Sequence, residues 1–153
     1  MKKFIFIPLM LLSLSAIAYH HSGEELSPID TVKKAYSTFA LGDTEAWAKL
    51  HTNDLKFTVH GKLPHSGTHI GTESVIKNVF QVIPVHWPKF QLEMLNIDSV
   101  EGKLGTTVYV LHKLTAENLN TYALHMFTLE GNKIKTFSAW DDFDSMRQAM
   151  VKN

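Results

Sequence analysis

The chain of 153 residues contains no cysteine. This absence excludes disulfide bonds, thiol chemistry and a lipid-modified cysteine behind a signal peptide. Glycine and proline are also sparse, with eight and five residues respectively, and no low-complexity tract or repeat is present. The length beyond the N-terminal segment suits one domain with a single hydrophobic core.

The sequence also lacks an excess of positive or negative charge. Fifteen Lys and Arg residues balance fifteen Asp and Glu residues, so the formal net charge is zero with neutral histidine. No basic run occurs along the chain. Because nucleic acids and anionic membranes are bound through clustered positive charge, we expect neither nucleic acid nor a membrane surface as a partner.

The one long hydrophobic run lies at the N-terminus. Met1-Lys2-Lys3 precedes apolar residues 4–18, and Ala16-Ile17-Ala18 has the small-x-small pattern of a signal-peptidase site. This pattern predicts a cleaved signal peptide over residues 1–18. A membrane anchor is the alternative, but the run falls short of the roughly 20 apolar residues that a spanning helix needs. We therefore expect a flexible lead at 19–27, one domain at 28–153, and a periplasmic or secreted product.

Periodicity predicts an α+β domain. Apolar residues recur at helical spacing after Pro28, Asp43 is placed to cap a second helix, and Gly42 separates the two. Alternation predicts strands over residues 55–60, 90–97, 106–114, 121–129 and 133–143, and a final helix over 145–151. Several of these strands carry large apolar residues on both faces, so we expect a second copy to cover the outer side in a homodimer.

A glycine-punctuated loop and a helix follow the first strand. Gly61, Pro64, Gly67 and Gly71 interrupt the strand pattern, and Thr72 is placed to cap the next helix. Its apolar residues are Val75, Ile76, Val79 and Phe80. The order of strand, loop and helix is the most specific feature of the sequence.

The segment Gly61-Lys-Leu-Pro-His-Ser-Gly67, with Gly131-Asn-Lys-Ile134 and Trp140-Asp-Asp142, resembles the SnoaL-like and ketosteroid-isomerase-like branch of the nuclear transport factor 2-like superfamily. The resemblance covers nearly all of the chain beyond Pro28. It implies a cone-shaped, cystatin-like barrel in which a curved, mostly antiparallel sheet packs on N-terminal helices around one apolar pocket. Members include isomerases, cyclases and epoxide hydrolases as well as non-catalytic binding and assembly modules, so the fold alone does not decide the function.

The sequence departs from the ketosteroid isomerases at the residues that carry their chemistry. The resemblance places Thr58 where those enzymes have a carboxylate base, and Leu124 where they have a protonated aspartate. Tyr36 lies on the expected helix but is displaced by one residue. Because threonine cannot accept a proton near neutral pH, we do not expect steroid isomerisation by that route.

Three other residues are our candidates for catalysis. Asp142 matches the carboxylate that ends the last strand in SnoaL-like proteins, although it is equally placed to cap the final helix, and a one-residue slip would turn Asp141 inward instead. His60 carries an imidazole, the side chain most often used for general acid–base catalysis, with a strand-end hydrogen bond as the alternative. Tyr36 is the candidate donor to developing negative charge.

Four further residues are candidates for ligand binding. They are Phe39, Thr58, His125 and Trp140, with a satisfied core histidine as the alternative for His125 and a core or wall position for Trp140. We expect no metal, because His65 and His69 lie in a loop rather than on one helix face, and no cofactor. The resulting hypothesis is a domain that binds a small apolar organic molecule, with acid–base isomerase, cyclase or hydrolase activity. The alternative is a non-catalytic binding or dimeric assembly module.

Overall fold

A computed structural model describes residues 25–151. The predicted signal peptide, the lead up to residue 24 and the last two residues lie outside the described residues. Across residues 25–151, no helix has both the length and the apolar composition that crossing a membrane requires.

The helices begin where the sequence supplies capping side chains. The Ser27 hydroxyl accepts a hydrogen bond from the Asp30 amide at 3.1 Å, and the Asp43 carboxylate accepts one from the Ala46 amide at 2.9 Å. Such caps satisfy amides that have no partner within the helix. The helices are α1 (Pro28–Ala40), α2 (Thr44–Lys49), α3 (Thr72–Val75), which continues into a π-helical turn (Ile76–Phe80), α4 (Ile83–His86) and α5 (Phe143–Ala149).

Six strands form one curved sheet that does not close on itself. They are β1 (His51–Val59), β2 (Gly67–Ile70), β3 (Gln91–Gly102), β4 (Gly105–Ala116), β5 (Leu119–Glu130) and β6 (Lys133–Asp141), in the spatial order β2-β1-β6-β5-β4-β3. Only the β1–β6 pair is parallel. The predicted α+β class with a mostly antiparallel curved sheet is confirmed, although the short strand β2 lies where the sequence indicated only a loop.

The sheet has an inner face, covered by the helices, and an outer face. Along β5 the odd-numbered residues from Leu119 to Leu129 are buried inside, while Tyr122 and Leu124 point outward. The core packs α1, α2 and the segment from α3 to α4 against the inner face. This side of the sheet therefore carries both the core and the site described below.

A bulge in β6 decides which residues of that strand face inward. Leu129 pairs with Ile134, but Thr128 pairs with Thr136, so Lys135 is an extra residue on β6. A bulge of this kind reverses the alternation of side chains beyond it. Consequently Phe137, Ala139 and Asp141 share the inner face with Ile134.

The glycine loop is anchored by close packing at its first glycine. Gly61 has φ +93°, and a Cβ at this position would come within 2.6 Å of the Phe143 ring. Both the backbone conformation and the contact therefore require glycine. The loop is thus held against the start of α5.

Candidate functional site

A cavity of about 80 Å³ lies between the inner face of the sheet and the helices. Most of its wall is apolar, and the largest rings are those of Phe39, Trp47, Phe57, Phe80, Phe127 and Phe137. An apolar cavity that holds benzene measures about 150 Å³. The cavity therefore suits a molecule of a few non-hydrogen atoms.

Three polar side chains in the wall form a hydrogen-bonded chain. Tyr36 Oη lies 2.7 Å from His125 Nδ1, and His125 Nε2 lies 3.3 Å from Asp141 Oδ1. The side chains of His125 and Asp141 are each only 8% exposed. The first helix and the two central strands thus each contribute one member of a buried Tyr–His–Asp chain.

The hydrogen bonds that join Tyr36, His125 and Asp141 constrain which atoms carry the protons. A carboxylate at Asp141 only accepts hydrogen bonds, so His125 Nε2–H donates to it. In the neutral imidazole Nδ1 is then an acceptor, and Tyr36 O–H donates to it. Tyr36 keeps its proton in this arrangement and can turn its O–H from His125 Nδ1 to a ligand oxygen in the cavity.

Burial keeps the tyrosine protonated. Desolvation, and secondarily the negative charge of Asp141, raise the pKa of Tyr36 well above its usual 10. A tyrosine in this state donates a hydrogen bond and does not act as a base near neutral pH. It can stabilise negative charge that develops on a ligand oxygen.

Two further imidazoles are buried near this chain. His112 packs against the rings of Tyr36 and His125, at centroid distances of 4.4 Å and 5.0 Å, and burial followed by proximity to His125 lowers its pKa to about 3. His65 lies in the cavity wall, and burial lowers its pKa to about 4. Both rings are neutral at neutral pH.

The structure places Asp142 at the start of α5. Its carboxylate accepts hydrogen bonds from the Ser145 amide at 3.2 Å, the Ser145 hydroxyl at 2.6 Å and the Thr121 hydroxyl at 2.7 Å. The bond from the Ser145 hydroxyl, followed by that from Thr121, lowers the pKa of Asp142 below its usual value. The bulge at Lys135 turns the neighbouring Asp141 into the cavity instead, so the structure adopts the register that the sequence left as the alternative.

The other predicted site residues divide between the two faces. Tyr36, Phe39 and His125 line the cavity. Trp140 is 42% exposed on the outer face, where the His60 ring stacks on it at 4.9 Å. The Thr58 hydroxyl lies 3.0 Å from that of Thr68. The structure therefore does not bring Thr58, His60 and Trp140 into the cavity wall.

Between residues 25 and 151, no group of three or more His, Asp or Glu side chains is arranged to hold a metal ion. The polar lining of the cavity consists of one phenol, one carboxylate and three imidazoles.

The architecture has close counterparts among solved structures. An NTF2-like protein from Burkholderia pseudomallei K96243 shares 20% identity, with a TM-score of 0.69 over 83% of this chain and 100% of its own. IdmH, a proposed polyketide cyclase from Streptomyces antibioticus, shares 18% identity with a TM-score of 0.67 over 81% and 98%. The fold is the nuclear transport factor 2-like fold.

A third counterpart is a proposed ketosteroid isomerase from Kribbella flavida, with 16% identity and a TM-score of 0.60 over 74% of this chain and 76% of its own. No protein-family model and no curated protein sequence matches the chain. The structural likeness confirms the nuclear transport factor 2-like fold that the resemblance implied. At these identities the likeness concerns the fold.

Within this nuclear transport factor 2-like frame, sequence reasoning missed four polar residues near the cavity, of which His51 was not considered at all. Asp141 was named only as the result of a register slip, His65 was considered only as a metal ligand, and His112 was not singled out. The apolar residues Ile134, Phe137 and Ala139 cannot all lie on one face of a regular strand. This break in parity was the available signal for the bulge and hence for Asp141.

Proposed function

We propose that the chain binds a small carbonyl compound in the cavity and catalyses the removal and return of a proton at the carbon atom beside the carbonyl group. The observation that carries this proposal is the buried chain of Tyr36, His125 and Asp141 in the wall of an apolar cavity. Proposed isomerase and cyclase activities among proteins of the same fold are consistent with it.

The proposed reaction is enolisation. The Asp141 carboxylate removes a proton from the carbon beside the carbonyl, the C–H electron pair forms a C=C bond, and the carbonyl oxygen gains negative charge. Tyr36 turns its O–H from His125 Nδ1 to that oxygen and donates a hydrogen bond to it, while His125 keeps its proton on Nε2. The product is the enolate, with the abstracted proton on Asp141. Return of a proton from Asp141 to the carbon regenerates the carboxylate.

Burial favours this chemistry in two ways. The apolar wall excludes water from the carboxylate, which strengthens its interactions with the ligand. Side chains fixed by mutual hydrogen bonds need little reorganisation during proton transfer. Positioned acid–base groups contribute about 10²–10⁴-fold to a rate. The hydrogen-bonded set of Tyr36, His125 and Asp141 is therefore sufficient for measurable catalysis.

The test uses butanone in D₂O, with NMR to follow exchange of the protons beside the carbonyl. We expect the protein to accelerate exchange, Asp141→Asn to lower the rate about 100-fold or more, and Tyr36→Phe to lower it as well. Asp142→Asn is the matched comparison, because asparagine also caps helices well. Loss of exchange in Asp142→Asn with retention in Asp141→Asn would assign the base to Asp142 instead.

The second candidate function is a non-catalytic dimeric module, and the outer face favours it. Tyr109, Leu111, Tyr122, Leu124 and Trp140 are between 38% and 59% exposed, and Leu111, Leu124 and Trp140 are aligned across three adjacent strands. Contiguous exposed apolar side chains are typical of interaction sites. We propose a homodimer through this face.

Sedimentation of the wild type and of Leu124→Lys tests the dimer. We expect a dimer for the wild type and a monomer for the variant, since a charge buried in an apolar interface is strongly unfavourable. A wild-type monomer at micromolar concentration would contradict the dimer. Binding of butanone without exchange would favour the non-catalytic module.

We also propose that the protein is exported after cleavage behind Ala18. The support is the basic start and the apolar run of residues 4–18. Mass spectrometry of the protein from a periplasmic fraction should show Tyr19 as the first residue. Retention of residues 1–18 in a membrane fraction would indicate the anchor instead.

A further inference from the structure

His65 lies in the loop between β1 and β2 and is held rigidly there. The Ser66 hydroxyl accepts a hydrogen bond from the Leu63 amide at 2.9 Å and donates one to the His60 carbonyl at 3.1 Å. The His65 ring meets the buried Trp87 ring edge-on at 5.1 Å. The imidazole is only 3% exposed and forms part of the cavity wall.

Among the polar side chains of the wall, His65 differs in its hydrogen bonding. Tyr36, His125 and Asp141 bond to one another, and His51 Nδ1 bonds the Trp47 carbonyl at 2.8 Å. In the part of the chain that the structure describes, the buried His65 Nδ1 has no hydrogen-bond partner. Because buried polar atoms are nearly always satisfied, this nitrogen requires a partner, and the cavity that the His65 ring lines is the place where a bound molecule would supply one.

We infer that His65 hydrogen-bonds the ligand, and that the ligand therefore carries a neutral hydroxyl group in addition to its carbonyl group. This inference rests on the proposed function, because the carbonyl is the group that Tyr36 and Asp141 engage. A hydroxyl both donates and accepts, so it suits either tautomer of the imidazole. The substrate class is thus a small hydroxy-carbonyl compound.

The surroundings favour a neutral group over a carboxylate. Burial keeps His65 uncharged at neutral pH, so it supplies no positive charge to an anion. The carboxylate of Asp141 lies in the same wall and is close enough to affect the ionisation of His65. An anionic ligand group would meet repulsion there, whereas a hydroxyl would not.

The experiment compares butanone with 4-hydroxybutan-2-one, which differ by one hydroxyl group. NMR titration should show that the wild type binds the hydroxylated ketone about three- to tenfold more tightly, as one net hydrogen bond provides. In His65→Phe, which keeps a ring against Trp87, we expect this preference, measured as the ratio of the two dissociation constants, to disappear or reverse. The ¹⁵N shift of His65 Nδ1 should respond only to the hydroxylated ketone.

His86→Phe is the matched control. His86 also has a buried Nδ1 without a partner among residues 25–151 and also packs against Trp87, at 5.8 Å, but it does not line the cavity. The variant His86→Phe should leave the ratio of the dissociation constants for the two ketones unchanged. If His65→Phe does not fold, His65→Gln replaces it and should keep part of the preference through its amide.

The outcomes separate the two proposals. If butanone binds the wild type but the hydroxyl brings no preference, or if His65→Phe and His86→Phe change the ratio equally, the role of His65 is overturned and the proposed function stands. If neither ketone binds the wild type, both are overturned.

Discussion

The two faces of strands β4 to β6 each carry side chains that depart from the usual distribution of residues. Inside, His125 and Asp141 are buried in a hydrogen-bonded chain with Tyr36. Outside, Tyr122 and Leu124 are 59% and 43% exposed. Soluble domains generally do the opposite, because buried polar groups cost free energy unless they are satisfied. Local rules are broken mostly where function requires it, so both faces are candidate functional surfaces.

The faces should also respond to different perturbations. The inner face combines tightly packed rings, such as the Phe57–Phe137 stack at 3.9 Å, with neutral buried imidazoles. It should be sensitive to lost volume and to protonation. Side chains on the outer face make few packing contacts within one copy of the protein. Truncating them should therefore change the free energy of unfolding little.

The largest expected effect is acid destabilisation through the inner face. Burial lowers the pKa of His51 and His65 to about 4 and that of His112 to about 3, from an ordinary value of 6.5. The unfolded chain therefore binds three protons that the folded chain does not. Stability is full above about pH 7 and falls as the pH drops towards 4. Urea unfolding near pH 5 should show a slope of about 4 kcal/mol per pH unit, since each proton contributes about 1.4.

His51→Phe isolates one of these titrations. It should lower the slope to about 3 kcal/mol per pH unit, while the outer-face variant Leu111→Ala leaves it unchanged. A wild-type slope below about 1.4 kcal/mol per pH unit would mean that the histidines are already protonated in the folded protein.

A second comparison places the same substitution on the two faces of one strand. Leu114 is 1% exposed on the inner face of β4, whereas Leu111 is 40% exposed on the outer face. Leu114→Ala should lower the free energy of unfolding by about 2–5 kcal/mol, and Leu111→Ala by no more than about 0.5 kcal/mol. Equal losses in urea unfolding at low protein concentration would show that the outer face is also covered.

Much of this fold could be predicted from local pattern. Pro28 marks the start of α1, alternation marks β4 and β5, and Gly61 marks the end of β1. Each of these signals depends only on neighbouring residues. The strand β2 was missed because Gly67–Ile70 has no apolar alternation and is fixed by pairing with β1.

The candidate site was harder to predict, because it depends on one bulge. Lys135 and Thr136 are both polar, so they do not themselves show which residue is unpaired with β5, and only the parity of Ile134, Phe137 and Ala139 indicates a bulge. With a regular strand, Trp140 and Asp142 would share a face with Ile134, which is how the sequence was interpreted. The inward position of His65 could not be predicted from hydrophobic periodicity, because His65 lies in a loop. Contacts with Ser66 and Trp87 fix that loop.

The smallest expected effect compares two tyrosine hydroxyls, one on each side of the sheet. Tyr36→Phe removes the donor to His125 Nδ1 and leaves that buried nitrogen without its partner, so we expect a loss of about 1–3 kcal/mol in urea unfolding at pH 7. Tyr122→Phe removes a hydroxyl from a side chain that is 59% exposed and should change stability by less than about 0.5 kcal/mol. Both variants remove one phenolic hydroxyl group, so the difference between their free energies of unfolding measures the buried hydrogen bond alone. If the two variants are equally stable, the Tyr36–His125 contact does not stabilise the fold, and its geometry must be maintained by the surrounding rings of His112 and Phe127.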